Sequence, residues 1–281
     1  MKKAIVTLVI GKKYEKMFNT YCRKNWQTYC EKYNYELIVI NKNLDDSKRS
    51  IERSPSWQKL LILSQPWANN YDQIVWVDSD ILINNQMASD ITLKVEKKSF
   101  GAVDAYSIPS EVLNYITMKR QYNYFRENNI EFIDNLKPGQ YYENRGIPGG
   151  NLNQVVQAGV FVCSQHHREI FEHVYYTYED TNKTAAWNYE MPAFSYELIN
   201  STEIKWLPVE YNYCVQNIIA AYYPFVFLKK DLCLKSKFMQ KLRHKFPTRL
   251  QIKCLEQIYN NGYFIHFAGC QTWIRQFKAI K

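Results

Sequence analysis

The sequence predicts an α/β fold built on a parallel sheet in a single domain. Three observations lead there. Apolar, β-rich runs alternate with helically spaced ones along the first half of the chain. The strand-like runs are continuously apolar, as expected of strands covered on both faces. No internal repeat or Gly/Ser-rich linker divides the 281 residues, a length that suits one large domain.

Ala4–Ile10 is the first apolar run and reads as a buried strand. The stretch Met1-Lys2-Lys3 ahead of it mimics a signal peptide. The apolar run is short, however, and Gly11-Lys12-Lys13 ends it with no small-residue cleavage site. Residues 13–33 carry Met17, Tyr21, Cys22, Trp26 and Tyr29 at three- and four-residue steps, which predicts a helix. Tyr35–Ile40 is a second strand, Trp57–Trp67 a helix, and Ile74–Val77 a strand. Gly101–Asp104, Val155–Cys163, His167–Tyr178 and Pro192–Ile199 read as strand, strand, helix and helix. Residues 115–150, rich in Tyr and Asn and closed by Gly146-Ile147-Pro148-Gly149-Gly150, read as a mobile loop. Residues 211–228 lack charge, but Asn212, Gln216, Asn217 and Pro224 favour a buried strand and turn over a membrane span.

Composition narrows the function. Seven scattered cysteines without a Cys-x-x-Cys pair point to free thiols in a reducing, cytoplasmic setting. The 36 Lys+Arg against 27 Asp+Glu favour an acidic partner. The excess is local: residues 229–253 hold nine basic side chains and one acid, Asp231, so no nucleic-acid stripe runs through the chain. Within that segment, Leu232, Leu234, Phe238, Met239, Leu242 and Phe246 recur among lysines at helical steps. This suits an amphipathic helix on an anionic membrane surface, with a solvated face over a packed one as the alternative.

The sharpest motif is Ile74-Val75-Trp76-Val77-Asp78-Ser79-Asp80, an apolar strand running into two carboxylates. The bare Asp-x-Asp pair is a weak signal, and its place raises it, because ligands bind beyond the carboxyl ends of strands in open α/β sheets. Two aspartates in extended backbone at i and i+2 point the same way and suit Mn²⁺ or Mg²⁺. His266, ending the strand-like Tyr263–His266, is a candidate third ligand or a structural histidine. Glu190 precedes Pro192 at a helix start, where it either caps the helix or faces a reacting group. Gln157-Ala158-Gly159 offers small residues for close backbone approach. Lys59 could reach a phosphate or lie on the surface, and Trp206–Tyr213 reads as an edge-strand turn with aromatic ends. The chain has no Gly-x-x-x-x-Gly-Lys, Gly-x-Gly-x-x-Gly or Gly-x-Ser-x-Gly motif. A phosphatase with an Asp-x-Asp nucleophile is disfavoured by Leu82 and by the lack of a downstream Gly-Asp pair.

In order and spacing these pieces resemble nucleotide-sugar glycosyltransferases of the GT-A fold, family 8 and the related galactosyltransferase families, which implies a single Rossmann-like domain with a mixed, mostly parallel sheet. The resemblance covers Ala4–Tyr14, Trp57–Ile83, Gln157–Ser164, Glu190–Leu198, Leu207–Tyr213 and Ile265–Trp273. It implies a metal-dependent enzyme that moves a hexose from a UDP-linked donor to a glycan, lipid-linked or protein acceptor, with retention. The alternatives are an inverting enzyme of the same fold and a non-catalytic sugar-nucleotide-binding protein. By the resemblance, Asp78, Asp80 and His266 hold Mn²⁺ or Mg²⁺ against the diphosphate. Ile10, Gly11 and Tyr14 hold the base, and Gln157, Ala158, Gly159 and Gly269 line the donor site. Glu190, Met191 and Lys59 stand nearest the chemistry. Residues 1–104 form a nucleotide-binding half and residues 105–281 an acceptor-binding half. The partners implied are the nucleotide sugar, a glycan, glycolipid or glycoprotein acceptor and an anionic membrane surface at 229–253, with no nucleic acid. The sequence departs from the family pattern at Met191, where a glutamine is usual, at Gln157 for an asparagine, and at Gln271-Thr272-Trp273 for a Lys-Pro pair.

Overall fold

The structure, a computed structural model, describes residues 1–133, 135–179, 189–226, 249–270 and 273–275. Its strands are β1 (Lys3–Leu8), β2 (Tyr35–Ile40), β3 (Gln73–Val77), β4 (Ile81–Ile83), β5 (Phe100–Asp104), β6 (Val156–Cys163), β7 (Ile204–Trp206), β8 (Tyr213–Cys214) and β9 (Phe264–His266). Its α-helices are α1 (Lys12–Met17), α2 (Arg23–Tyr33), α3 (Lys48–Glu52), α4 (Glu111–Glu127), α5 (Pro138–Glu143), α6 (Arg168–Thr177), α7 (Met191–Ser201), α8 (Val215–Tyr222) and α9 (Arg249–Asn261).

The central sheet runs β2-β1-β3-β6-β5-β7. β1–β2, β1–β3 and β5–β7 pair parallel, whereas β6 is antiparallel to both its neighbours. The sheet is therefore mixed and mostly parallel, as the resemblance implies. Alternate residues feed two cores. Ile5, Val75 and Val77 join Phe18, Trp26 and Tyr29 on one face. Ala4, Val6, Ile74 and Trp76 join Trp57, Leu60, Phe171 and Phe194 on the other. Cover on both faces is the physical reason these strands are apolar without alternation.

Register gathers the site at one edge. β1 and β3 are parallel, so their carboxyl ends, Leu8 and Val77, face the same way. β6 enters from that edge, with Val160 opposite Val77, and β5 leaves toward it, with Asp104 opposite Val156. Between these, the β5–β6 register jumps from Ala102↔Phe161 to Val103↔Gln157, so Ala158–Val160 bulge away from β5. Bulges of this kind re-aim backbone and side chains beside sites.

A second sheet, β4-β9-β8, sets His266 opposite Ile81. α2 anchors it. Asn25 donates to the Ile83 carbonyl (2.7 Å) and accepts from its N–H (2.8 Å), while the Trp26 indole donates to the Ile81 carbonyl (2.8 Å).

Several elements differ from expectation. Within the stretch 115–150 expected as a loop, residues 115–127 and 138–143 are helical, in α4 and α5. Residues 57–67 form 3₁₀ turns, Pro55–Ser64 and Pro66–Asn70, in place of an α-helix. Ser54 caps the first by accepting from the Ser56 N–H, with Pro55 preset behind it. The helix expected over 13–33 is interrupted by a π-turn, Phe18–Cys22. Residues 211–228 hold α8 after the short β8, where a strand and turn were expected. The basic amphipathic helix expected over 227–246 lies outside the described residues, as do Gln271 and Thr272. No helix among the described residues is long and apolar enough to cross a membrane. The six described cysteines are buried and free.

Candidate functional site

Asp78 and Asp80 occupy the turn between β3 and β4, not a continued extended strand. The turn is held from both sides. The Asp78 N–H donates to the Gly159 carbonyl (2.8 Å), and the Phe267 N–H donates to the Asp80 carbonyl (3.1 Å). Both carboxylates face His266, whose Nε2 lies 3.4 Å from Asp80 Oδ1 and 3.8 Å from Asp78 Oδ2. His266 is 3 % exposed.

The other side of the ring is fixed by a relay. His266 Nδ1 donates to Asn212 Oδ1 (2.8 Å). Asn212 Nδ2 donates to Gln157 Oε1 (2.9 Å), which also accepts from the Gly159 N–H (2.7 Å). Because Asn212 donates to a glutamine oxygen, its own oxygen must face the imidazole, which assigns the proton to Nδ1. The Nε2 lone pair then points toward the carboxylates whenever His266 is neutral. Gly159 has a steric role here: a Cβ at that position would lie 2.4 Å from His266 Cε1. The small residue makes room for the imidazole.

Lys59 crosses the site from the 3₁₀ segment. It is 4 % exposed, so a surface lysine is ruled out. Its Nζ lies 2.8 Å from Glu190 Oε1 and 3.4 Å from Asp78 Oδ1, and donates to the Ala158 carbonyl (3.2 Å) that the β6 bulge frees. Burial alone would favour the neutral amine; the facing Asp78 and Glu190 charges outweigh it and raise its pKa. Glu190 stands at the N-cap of α7 but its side chain makes no cap hydrogen bond. The capping role is thereby set aside; the carboxylate, 3 % exposed, serves Lys59. Tyr189, at φ 37°, turns the chain just ahead of it. Asp78 Oδ1 also accepts from the Trp76 indole (2.8 Å). Burial raises the Asp78 pKa, and Lys59 and His266 pull against that rise. For His266, burial favours the neutral ring, but Asp80 and then Asp78 outweigh it and the pKa rises.

The remaining candidates take their places around this cluster. Ile10, Gly11 and Tyr14 follow β1 at the same sheet edge; Gly11 has φ 96° and begins α1, and Tyr14 is exposed. Gly269, at φ 67°, lets the chain turn after His266, and a Cβ there would lie 2.9 Å from Gln216 Nε2. Met191 opens α7 and lines a separate cavity with Tyr106 and Arg145. Sequence reasoning gave no role to Asn212 or Trp76. Asn212 is fully buried and must therefore have hydrogen-bond partners, but that burial is set by the fold and is not visible in the sequence.

Among the described residues, no three His, Cys, Asp or Glu side chains are already splayed around a common metal position. The donor set nonetheless fits a hard divalent ion: two carboxylates and an imidazole whose outer nitrogen is held by an amide. The charges agree. Asp78 and Glu190 share one ammonium, Lys59, and Asp80 faces His266, which leaves a surplus of negative charge when His266 is neutral.

No family model matches the sequence, and no curated protein matches it. Among solved structures, the chain is similar to a glycosyltransferase involved in glycosylation of the major capsid of PBCV-1. The TM-score is 0.52 at 12% identity, over 99% of this chain and 100% of that one. It also aligns with the WbbM bifunctional glycosyltransferase (TM-score 0.48, 13% identity, 95% of this chain and 46% of that one). A third alignment is with the glycosyltransferase GlyE of Streptococcus pneumoniae TIGR4 (TM-score 0.41, 11% identity, 95% and 55%). The chain spans the whole of the first and about half of the other two. At these identities the likeness to the first is one of fold.

Proposed function

We propose that this chain is a metal-dependent glycosyltransferase that moves a hexose from a UDP-linked donor to a glycan, lipid-linked or protein acceptor. The observation that carries the reading is the convergence of Asp78, Asp80 and His266 at the carboxyl edge of the central sheet. The full-length likeness in fold to a glycosyltransferase supports it.

In this reading Asp78, Asp80 and the His266 Nε2 hold Mn²⁺ or Mg²⁺. When bound, the ion supplies positive charge where a leaving diphosphate accumulates negative charge. The protein's own groups do the rest. Asn212 keeps the Nδ1 proton in place and so leaves Nε2 free. Lys59 fixes Asp78 and Glu190 relative to one another and adds a buried positive charge. Ile10, Gly11 and Tyr14 flank the base, Gly159 makes room for the His266 ring and Gly269 for Gln216. In the reaction the bond from the sugar anomeric carbon to the diphosphate oxygen breaks. The acceptor oxygen bonds that carbon on the face from which the diphosphate leaves, and its proton passes to the departing diphosphate oxygen.

Glu190 is committed to Lys59 and nearly inaccessible, which disfavours it as the base an inverting enzyme needs, so we assign retention. The test is a panel of UDP- and GDP-sugars incubated without acceptor. Mn²⁺-dependent hydrolysis of at least one UDP-sugar is expected. No hydrolysis of any donor, or hydrolysis indifferent to metal, would overturn the reading.

A further inference from the structure

Beside the acidic cluster lies a cavity of about 180 Å³, walled by residues 105–106, α4, the segment after it, α5 and α8. It is larger than the roughly 150 Å³ that houses one benzene ring, so it suits a single six-membered ring. Two of its walls connect to the site above. Met191 follows Glu190 directly, and Gln216 packs against Gly269, three residues beyond His266.

Its chemistry is the reverse of the cluster's. Tyr106, Tyr122, Phe125 and Phe132 line it, with Tyr122 and Phe132 stacked on one another (5.0 Å between centroids, 11°), and such aromatic surface suits sugar rings. Arg145 supplies a cation that is 5 % exposed. Among the described residues no carboxylate lies within ion-pair distance of Arg145. Both of its hydrogen bonds leave from Nη1, to Asn135 Oδ1 (3.3 Å) and the Tyr141 carbonyl (2.9 Å), and Nε has no partner. Its guanidinium lies over the Tyr141 ring, 4.3 Å from the centroid. Cation–π contact offsets part of the desolvation cost but brings no counter-charge. Two further wall residues hold unpartnered buried groups, the Tyr141 hydroxyl and Gln121 Nε2. Burial raises the Tyr141 pKa and keeps that hydroxyl a donor. In native structures buried donors without partners are rare and call for a missing one. The wall is rigid where it matters: Arg120 on α4 donates to the Ala220 and Ala221 carbonyls (3.0 and 2.8 Å) at the end of α8.

We infer that this cavity is an acceptor subsite for one sugar ring carrying an oxyanion, a carboxylate or a phosphate, with the ring on the tyrosine and phenylalanine faces and the oxyanion on Arg145. The inference rests on the glycosyltransferase reading for the word acceptor alone; binding itself is independent of it.

The experiment is therefore equilibrium binding without donor or metal, by ligand-observed NMR. The probes are methyl glucuronide, glucose 6-phosphate, methyl glucoside and inorganic phosphate. At least one charged sugar should bind about tenfold or more tighter than methyl glucoside and than phosphate alone. Which one does so identifies the oxyanion. Arg145→Lys should weaken that binding about tenfold, because it loses the planar fork. Gln121→Leu, a milder change, should weaken it severalfold at unchanged melting temperature. Asp134→Asn, a neighbour in sequence outside the described residues, should leave affinity within twofold. Equal binding of the neutral glucoside, indifference to both Arg145→Lys and Gln121→Leu, or a tenfold gain in Asp134→Asn would overturn the proposal. Charged-sugar binding in a protein that hydrolyses no donor would sustain the cavity and sink only the transferase reading. Donor hydrolysis with no sugar bound would do the opposite.

Discussion

The two polar sites of this protein are built on opposite terms. Around β3, each of Lys59, Asp78, Glu190, Asn212, Gln157 and His266 meets another member of the group. Beside α4, the Arg145 Nε, the Tyr141 hydroxyl and Gln121 Nε2 have no hydrogen-bond partner among the described residues. The first site has its groups paired with one another before any ligand arrives, with a surplus of negative charge. The second joins buried donors to an aromatic lining. The contrast shows how preorganisation and recognition divide: a reacting centre needs its groups held in advance, whereas a specificity pocket gains most from donors that only the right ligand satisfies.

The comparison is broken most severely by removing charge from the cluster. Asp80→Asn should lower Mn²⁺-dependent donor turnover by about 10³-fold or more while the protein remains folded, read from initial rates and a melting curve together. Next is Lys59→Met, which leaves Glu190 buried and unpaired. Urea unfolding should show a loss of about 3–5 kcal/mol, and the double variant Lys59→Met/Glu190→Gln should recover much of it. A smaller effect tests the relay. Asn212→Leu strands the His266 Nδ1 proton and should cut metal affinity by about 10- to 100-fold, measured by calorimetry. The smallest is Glu190→Gln alone. Lys59 keeps Asp78, so turnover should fall about tenfold with little change in melting temperature. Unchanged turnover there would mean that Glu190 serves only the fold.

The same contrast explains what could be seen in the sequence. Asp78, Asp80 and His266 each end or follow an apolar strand, and strand ends are legible because two-sided burial makes the strands continuous apolar runs. Lys59 and Glu190 were legible as candidates but not as a pair, since their contact is set by how the 3₁₀ segment and α7 pack together. Asn212 was missed because its role depends on the register that places β8 beside β9. α4 was read as a loop for a physical reason. Of its seventeen residues only Asn114, Thr117 and Tyr122 are buried, so no apolar stripe marks it as a helix. α8 failed in the other direction: Val215, Ile218, Ile219 and Ala220 are all buried, and a short, mostly apolar run looks the same as a strand. The cavity lies where these two misread helices meet.

Direct titration of Mn²⁺ in the presence of UDP, by electron paramagnetic resonance, tests the central claim most simply. One Mn²⁺ should bind per chain, and Asp80→Asn and His266→Gln should each weaken that binding tenfold or more. Equal Mn²⁺ affinity in the wild type and both variants would contradict the assignment of Asp78, Asp80 and His266 as the metal-holding group.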